Sequence, residues 1–168
     1  MNDNYTSQAS AITHVPAGQG ATVWFDGDVY TVKANKENTN GTLAFLEATI
    51  PPGGGPPPHA HTLEDEAFYI LSGELEFFGN EQHFTVKAGD FVFVPRGAAH
   101  RFNNMTAHAV RMIFLYTPAG FENFFVGAGD PAVPGDPIPV WGPSEFKRAT
   151  EMAARYGWQK ASIVDADS

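Results

Sequence analysis

Short runs rich in Val, Phe, Ile, Tyr and Thr alternate along most of the chain with breaks containing Gly, Pro, Asn or Asp. That pattern predicts many short strands joined by turns, as in a sandwich or small barrel. In Trp24-Phe25-Asp26-Gly27-Asp28-Val29-Tyr30 an Asp-Gly dipeptide separates two strand-like runs. Glycine there supplies the positive φ of a type I′ turn, so a first hairpin is expected. Further strands are predicted over residues 43–50, 67–71, 74–78, 83–86, 91–94, 100–102 and 110–116. In the last of these Arg111 marks one face, which places Met112, Phe114 and Tyr116 together on the other and predicts an aromatic barrel interior. Phe91-Val92-Phe93-Val94 is apolar at every position, which predicts a strand buried on both sides beneath a second layer.

After Tyr116 the pattern changes. Residues 117–143 are rich in Pro and Gly and carry Phe121, Phe124 and Phe125, so they read as a long loop with one short helical turn. Ser144 is placed to cap a helix from Glu145 to about Tyr156, with Phe146, Ala149, Met152 and Ala153 on one side and Gly157 as a left-handed stop. With no internal repeat and no second composition regime, residues 1–168 are expected to form a single domain. It would comprise an N-terminal arm at 1–20, a barrel core at 41–116, and an aromatic loop with one C-terminal helix at 117–168.

Composition narrows the chemistry. The chain has no cysteine, so disulfides, thiolate metal sites and Cys nucleophiles are excluded, and any metal must use His, carboxylate or water. A formal net charge of -9 opposes binding to a phosphate backbone or an anionic membrane surface, so neither nucleic acid nor membrane is an expected partner. Residues 1–11 have neither a basic region nor an apolar run, and no later apolar run approaches the ~18 residues of a membrane span, which makes the cytoplasm the expected location.

Two segments carry the candidate chemistry. The first runs from Gly53 through His59-Ala60-His61 and Glu66 to Gly73; the second runs from Gly89 through Pro95-Arg96-Gly97 and His100 to Asn104. Two His at i and i+2 on an extended segment point to the same side, with Cα atoms roughly 6 to 7 Å apart, so two imidazoles can converge on one ion. On its own such a pair is more often a solvated surface feature. Here it is joined by a carboxylate and a third His, a mixed N/O set suited to Fe(II), Mn(II), Co(II), Ni(II), Cu(II) or Zn(II), with positions left open for water, O2 or substrate. Glu66 shares strand parity with the apolar Phe68 and Ile70, whereas Glu64 and Asp65 read as solvated loop charges. Gly73 and Gly89 suit tight turns, and Pro56 to Pro58 would stiffen the approach to His59. His14, His83 and His108 fit no pattern and are expected at the surface. Gly127-Ala128-Gly129-Asp130-Pro131-Ala132 superficially matches a nucleotide-binding fingerprint, but Pro131 and Pro134 forbid the helix that motif requires.

The two segments resemble the two-part signature of the cupin superfamily, G-x5-H-x-H-x4-E-x6-G at Gly53, His59, His61, Glu66 and Gly73, and G-x5-P-x-G-x2-H-x3-N at Gly89, Pro95, Gly97, His100 and Asn104. The chance expectation for both together is on the order of 10⁻⁷, taken from the residue frequencies of this chain. The resemblance implies an all-β fold, a cupin jelly-roll β-barrel with one C-terminal α-helix, holding one divalent transition metal per chain on His59, His61, Glu66 and His100. At finer grain Pro57-Pro58-His59-Ala60-His61-Thr62-Leu63-Glu64-Asp65-Glu66, Pro95-Arg96-Gly97-Ala98-Ala99-His100-Arg101-Phe102 and Thr117-Pro118-Ala119-Gly120-Phe121 resemble single-domain bacterial quercetin 2,3-dioxygenases. That resemblance implies nickel, cobalt, manganese or iron, a flavonol and O2 as substrates, release of CO and a phenolic ester, Glu66 as general base as well as ligand, and a homodimer. The substrate pocket is expected to be lined by Phe68, Phe93, Phe102, Phe114, Tyr116, Phe121, Phe124 and Phe125, which suits a flat, mainly apolar ligand. Another metal-dependent enzyme acting on an aromatic or enolisable molecule, or a non-catalytic binding module, would use the same donors.

Overall fold

The structure, a computed structural model, describes residues 12–163. Most of the expected N-terminal arm, residues 1–11, lies outside the described residues.

The first hairpin joins β1 (Ala21–Phe25) to β2 (Asp28–Ala34) through Asp26 (φ 49°) and Gly27 (φ 88°). Both turn residues have positive φ, as a type I′ turn demands and as the Asp-Gly pair predicts. The barrel continues with β3 (Ala44–Ile50), β4 (His59–His61), β5 (Asp65–Ser72), β6 (Glu74–Gly79), β7 (Gln82–Lys87), β8 (Phe91–Val94), β9 (His100–Asn103) and β10 (Val110–Thr117). Then follow α1 (Glu122–Ala128), the two-residue β11 (Asp130–Pro131), α2 (Pro143–Ala153), a turn of 3-10 helix over Ala154–Tyr156, and β12 (Trp158–Lys160). The strands form two antiparallel sheets, one of seven strands in the order β11-β1-β2-β3-β10-β5-β8 and one of five in the order β12-β4-β9-β6-β7. This is the jelly roll expected from the sequence, with helix confined to the C-terminal part.

The core lies between the sheets. On β10 the alternation holds: Val110, Met112, Phe114 and Tyr116 are buried and Arg111 is exposed. Phe114 touches the rings of Phe68, Phe102 and Tyr30 at centroid separations of 4.9, 5.8 and 5.6 Å, so the interior is built from edge-to-face aromatic contacts. Losing such a ring to Ala costs about 3–5 kcal/mol in a core of this kind.

The expectation that β8 is buried on both sides is corrected. Val92 and Val94 face inward, but Phe91 and Phe93 are 65% and 55% exposed. β8 is the edge of its sheet, and among the described residues its outer face stays exposed at Phe91 and Phe93. Phe93 therefore does not line the cavity.

Past β10 the chain folds back over the barrel. Glu122 is buried at the start of α1, where its carboxylate accepts hydrogen bonds from the backbone N–H groups of Lys36 (2.7 Å) and Gly120 (2.6 Å). That fixes Phe121, Phe124 and Phe125 over the barrel mouth. On α2 the cap is Gly142 rather than Ser144, and the Glu145 carboxylate accepts the Gly142 N–H at 2.9 Å. Pro143 occupies the first turn, where its missing N–H costs nothing. Gly157 supplies the expected left-handed stop at φ 76°. Among the described residues no helix is long and apolar enough to cross a membrane.

Candidate metal centre and its cavity

The two motifs meet. β4 pairs with β9 so that His59 lies directly opposite His100, and His61, two residues on, points to the same side. Glu66 reaches the same point from β5 in the facing sheet, so the cluster ties the two sheets together. One donor atom from each of His59, His61, Glu66 and His100 lies within 4.8 Å of the others, and all four residues are buried. Glu66 Oε2 sits 2.9 Å from His100 Nε2 and 3.3 Å from His61 Nε2.

The local sequence explains how each ring is aimed. Nδ1 of His59 lies 2.9 Å from the Pro57 carbonyl, Nδ1 of His61 lies 2.8 Å from Glu64 Oε1, and Nδ1 of His100 lies 3.2 Å from the Ala98 carbonyl. Each Nδ1 donates outward, which leaves the Nε2 lone pairs of the three rings for the centre. The turn before β9 is held in place by Gly97, whose N–H donates to the His61 carbonyl at 2.7 Å and whose φ is 82°. Pro95-Arg96-Gly97 thus bends the chain so that His100 re-enters beside His59.

Electrostatics favour the ligand forms of His59 and Glu66. Burial, reinforced by the charge of His100, pushes His59 down to about 3, so its imidazole is neutral. Burial alone would raise Glu66, but the surrounding imidazoles outweigh it and bring the carboxyl to about 2. For His100 the hydrogen bond and charge of Glu66 outweigh burial and move it upward. Three imidazoles and an ionised carboxylate converging in a buried pocket fit a divalent transition metal, and the chain offers no thiolate to compete.

Glu64 is corrected. It is buried at 4% exposure and orients His61, rather than being a solvated charge. The His-x-x-Glu spacing was its signal, since the tight link between β4 and β5 folds Glu64 back onto the ring. Asp65 does face outward, where its carboxylate takes a two-pronged contact from the Arg96 guanidinium at 3.1 Å. His14, His83 and His108 are exposed, as expected.

The centre opens on a cavity of about 450 Å³. Its walls include Phe68, Phe102, Phe114 and Tyr116 from the barrel and Phe121, Phe124 and Phe125 from α1 and its cap, all predicted as pocket residues. Sequence reasoning missed Tyr30 and Asp28 from β2, and Trp141 and Trp158 from the C-terminal region, all of which also line it. Trp158 stacks on His59 at 5.5 Å, and β12 pairs with β4 along its free edge, Trp158 opposite His61. No Lys or Arg lines the cavity among the described residues.

Residues 46–116 match the family described as Cupin domain, and they contain all four donors and both spacing patterns. Over those residues the chain resembles a cupin domain. Among curated proteins this chain is 28% identical over 115 residues to the quercetin 2,3-dioxygenase of Bacillus subtilis (strain 168), covering 68% of this chain and 34% of that protein. It is 37% identical over 65 residues to the oxalate-binding protein of Thermotoga maritima, covering 39% of this chain and 54% of that one. The chain thus spans a third to about half of the length of these relatives. Among solved structures the chain superposes on a "predicted oxalate decarboxylase" from Thermotoga maritima with a TM-score of 0.59 at 23% identity, over 63% of this chain and 99% of the other. An RmlC-like cupin from Shewanella frigidimarina gives 0.57 at 19% identity, over 68% and 98%. These likenesses establish the fold.

Proposed function

We propose that this protein is a metal-dependent dioxygenase that opens the heterocyclic ring of a flavonol such as quercetin with O2, releasing CO and a phenolic ester. The observation that carries the reading is the placement of the four-donor cluster beside a cavity walled by aromatic rings, with no Lys or Arg among the described residues that line it. A flat, polyaromatic molecule matches those walls, whereas a small dianion such as oxalate would leave them unfilled and find no Lys or Arg beside the centre. The similarity to a quercetin 2,3-dioxygenase points the same way.

A divalent transition metal held by His59, His61, Glu66 and His100, of the nickel, cobalt, manganese or iron type, would supply Lewis acidity toward the substrate hydroxyl and O2. Glu66 is the proton acceptor: its carboxylate is ionised and lies at the cavity wall, so it takes the proton of an enolic hydroxyl docked at the centre. Tyr116 supports it. Burial first, then the charge and hydrogen bond of Glu66, hold the Tyr116 phenol well above its ordinary range, so the phenol stays protonated and donates to that carboxylate. Phe121, Phe124 and Phe125 cap the cavity and exclude water from the deprotonated substrate.

The test incubates metal-reconstituted protein with quercetin under air and follows the loss of its near-ultraviolet band together with CO release. Both signals are expected; unchanged spectra with each of the four metals would overturn the flavonol assignment.

We further propose that two copies pair through the outer face of β5 and β8. Support comes from Phe91, Phe93 and Tyr69, which are exposed there with Phe91 directly opposite Tyr69, forming an apolar strip beside an open sheet edge.

A further inference from the structure

Asp28 opens β2 immediately after the first hairpin and is 6% exposed. Its Oδ2 accepts the Tyr30 hydroxyl at 2.9 Å, but its Oδ1 has no partner. Among the described residues the one other buried side-chain atom in that condition is Asn103 Oδ1, which does not line the cavity; Asp28 does. A buried polar atom left without a partner costs about 1–3 kcal/mol.

The backbone of Gly54 packs closely against Oδ1. A Cβ built on Gly54 would come within 2.9 Å of that oxygen, and Gly53, Gly54 and Gly55 all contribute to the same cavity wall. Gly54 has no positive φ, so the close packing rather than the backbone conformation calls for glycine at this point.

Asp28 and the four-donor cluster lie toward opposite ends of β3. Tyr116, the register neighbour of Glu66, pairs with Ala44 at the start of that strand, whereas Val29, next to Asp28, pairs with Thr49 near its end. Asp28, Tyr30 and Glu66 nevertheless line the same cavity. Tyr30 is itself fixed by stacking on Phe125 at 4.2 Å and by edge contact with Phe114.

We propose that Asp28, positioned by Tyr30, is a specificity-determining residue of the cavity: its free Oδ1 takes a hydrogen bond from a hydroxyl on the end of an aromatic ligand farthest from the four-donor cluster. This rests on the aromatic-ligand reading above and adds to it the requirement for a second hydroxyl. Burial favours the protonated acid and raises Asp28 to about 7, so near neutrality the group also has a proton to give. The partner it selects is a phenol, and an unsubstituted ring end leaves the carboxyl orphaned.

The experiment measures binding to the metal-loaded protein by quenching of Trp141 and Trp158 fluorescence, in wild type and in Asp28→Leu and Asp28→Ala. The ligands are quercetin and 3-hydroxyflavone, which keeps only the hydroxyl next to the carbonyl. Wild type should prefer quercetin by about tenfold, the worth of one hydrogen bond to a buried acid, and both variants should lose that preference while holding 3-hydroxyflavone within about twofold. A preference that survives in either folded variant, or equal weakening of both ligands, overturns the assignment. The pair 2-naphthol and naphthalene is run alongside because it needs no chelating group. If no flavonol binds wild type, the flavonol reading falls, and the Asp28 assignment stands or falls on whether the preference for 2-naphthol exists and is lost in the variants.

Discussion

Glu64 Oε1 receives the Nδ1 hydrogen of His61 at 2.8 Å with both side chains buried, and this contact decides which nitrogen of His61 faces the cluster. The ring is thereby locked in one tautomer and one orientation.

Glu64→Ala should therefore weaken metal binding by about 10- to 100-fold with all four donors intact. Competition with a chromophoric chelator reads the effect, and Glu64→Gln, which keeps an acceptor in place, should recover most of it. Unchanged affinity in Glu64→Ala would leave this carboxylate a merely structural role.

Removing a donor should be more severe. His59→Ala and His100→Ala are expected to lose bound metal, read by elemental analysis as metal per chain, because each deletes one of the converging Nε2 atoms. Full retention in both would contradict the assignment of the centre.

Glu66→Gln separates two roles. If Glu66 takes the substrate proton, turnover of quercetin should drop by about 100-fold or more while bound metal falls much less. Parallel loss of metal and turnover would restrict Glu66 to ligation.

Asp28 makes stability depend on pH. Burial raises its acid, the Tyr30 hydrogen bond offsets part of that, and the Asp26 charge adds to it; the result is about 7 against an ordinary value of 3.8. Below about pH 4 the group is protonated in both folded and unfolded chains, so the folded state carries no charge penalty. Stability should then be lost as pH rises through about 7, by about 4 kcal/mol at most. Asp28→Asn removes the contribution, so its stability relative to wild type, read by urea unfolding, should grow between pH 4 and pH 7.5. A difference that stays flat would show that the carboxyl is solvated.

Phe93→Glu should convert a dimer to a monomer of 18.2 kDa in light scattering, without loss of bound metal. A wild-type protein already monomeric at that mass would remove the proposed pairing face.

The four donors were legible because their positions are set by strand phase and turn chemistry, both of which are local. His59 and His61 share a face by alternation, Glu66 follows the parity of Phe68 and Ile70, and Gly97 fixes the bend before His100. Phe93 was misread for a physical reason: Phe91-Val92-Phe93-Val94 has no polar residue to mark the outer face, and its position at a sheet edge depends on strand order, which no local pattern encodes. Asp28 escaped for a related reason. Beside Gly27 it looks like a turn residue, and only the packing of Gly54 across β2 buries it. Trp158 joined the site through a pairing with a strand nearly a hundred residues earlier, which belongs to topology rather than to sequence pattern.

That pairing also orders events during synthesis. Every donor leaves the ribosome well before the segment Trp158–Lys160, yet β4 gains its second neighbour only when that segment docks. The nascent chain can thus display a complete set of metal-binding groups on a strand still open along one side, and their final rigidity arrives with the C-terminal residues.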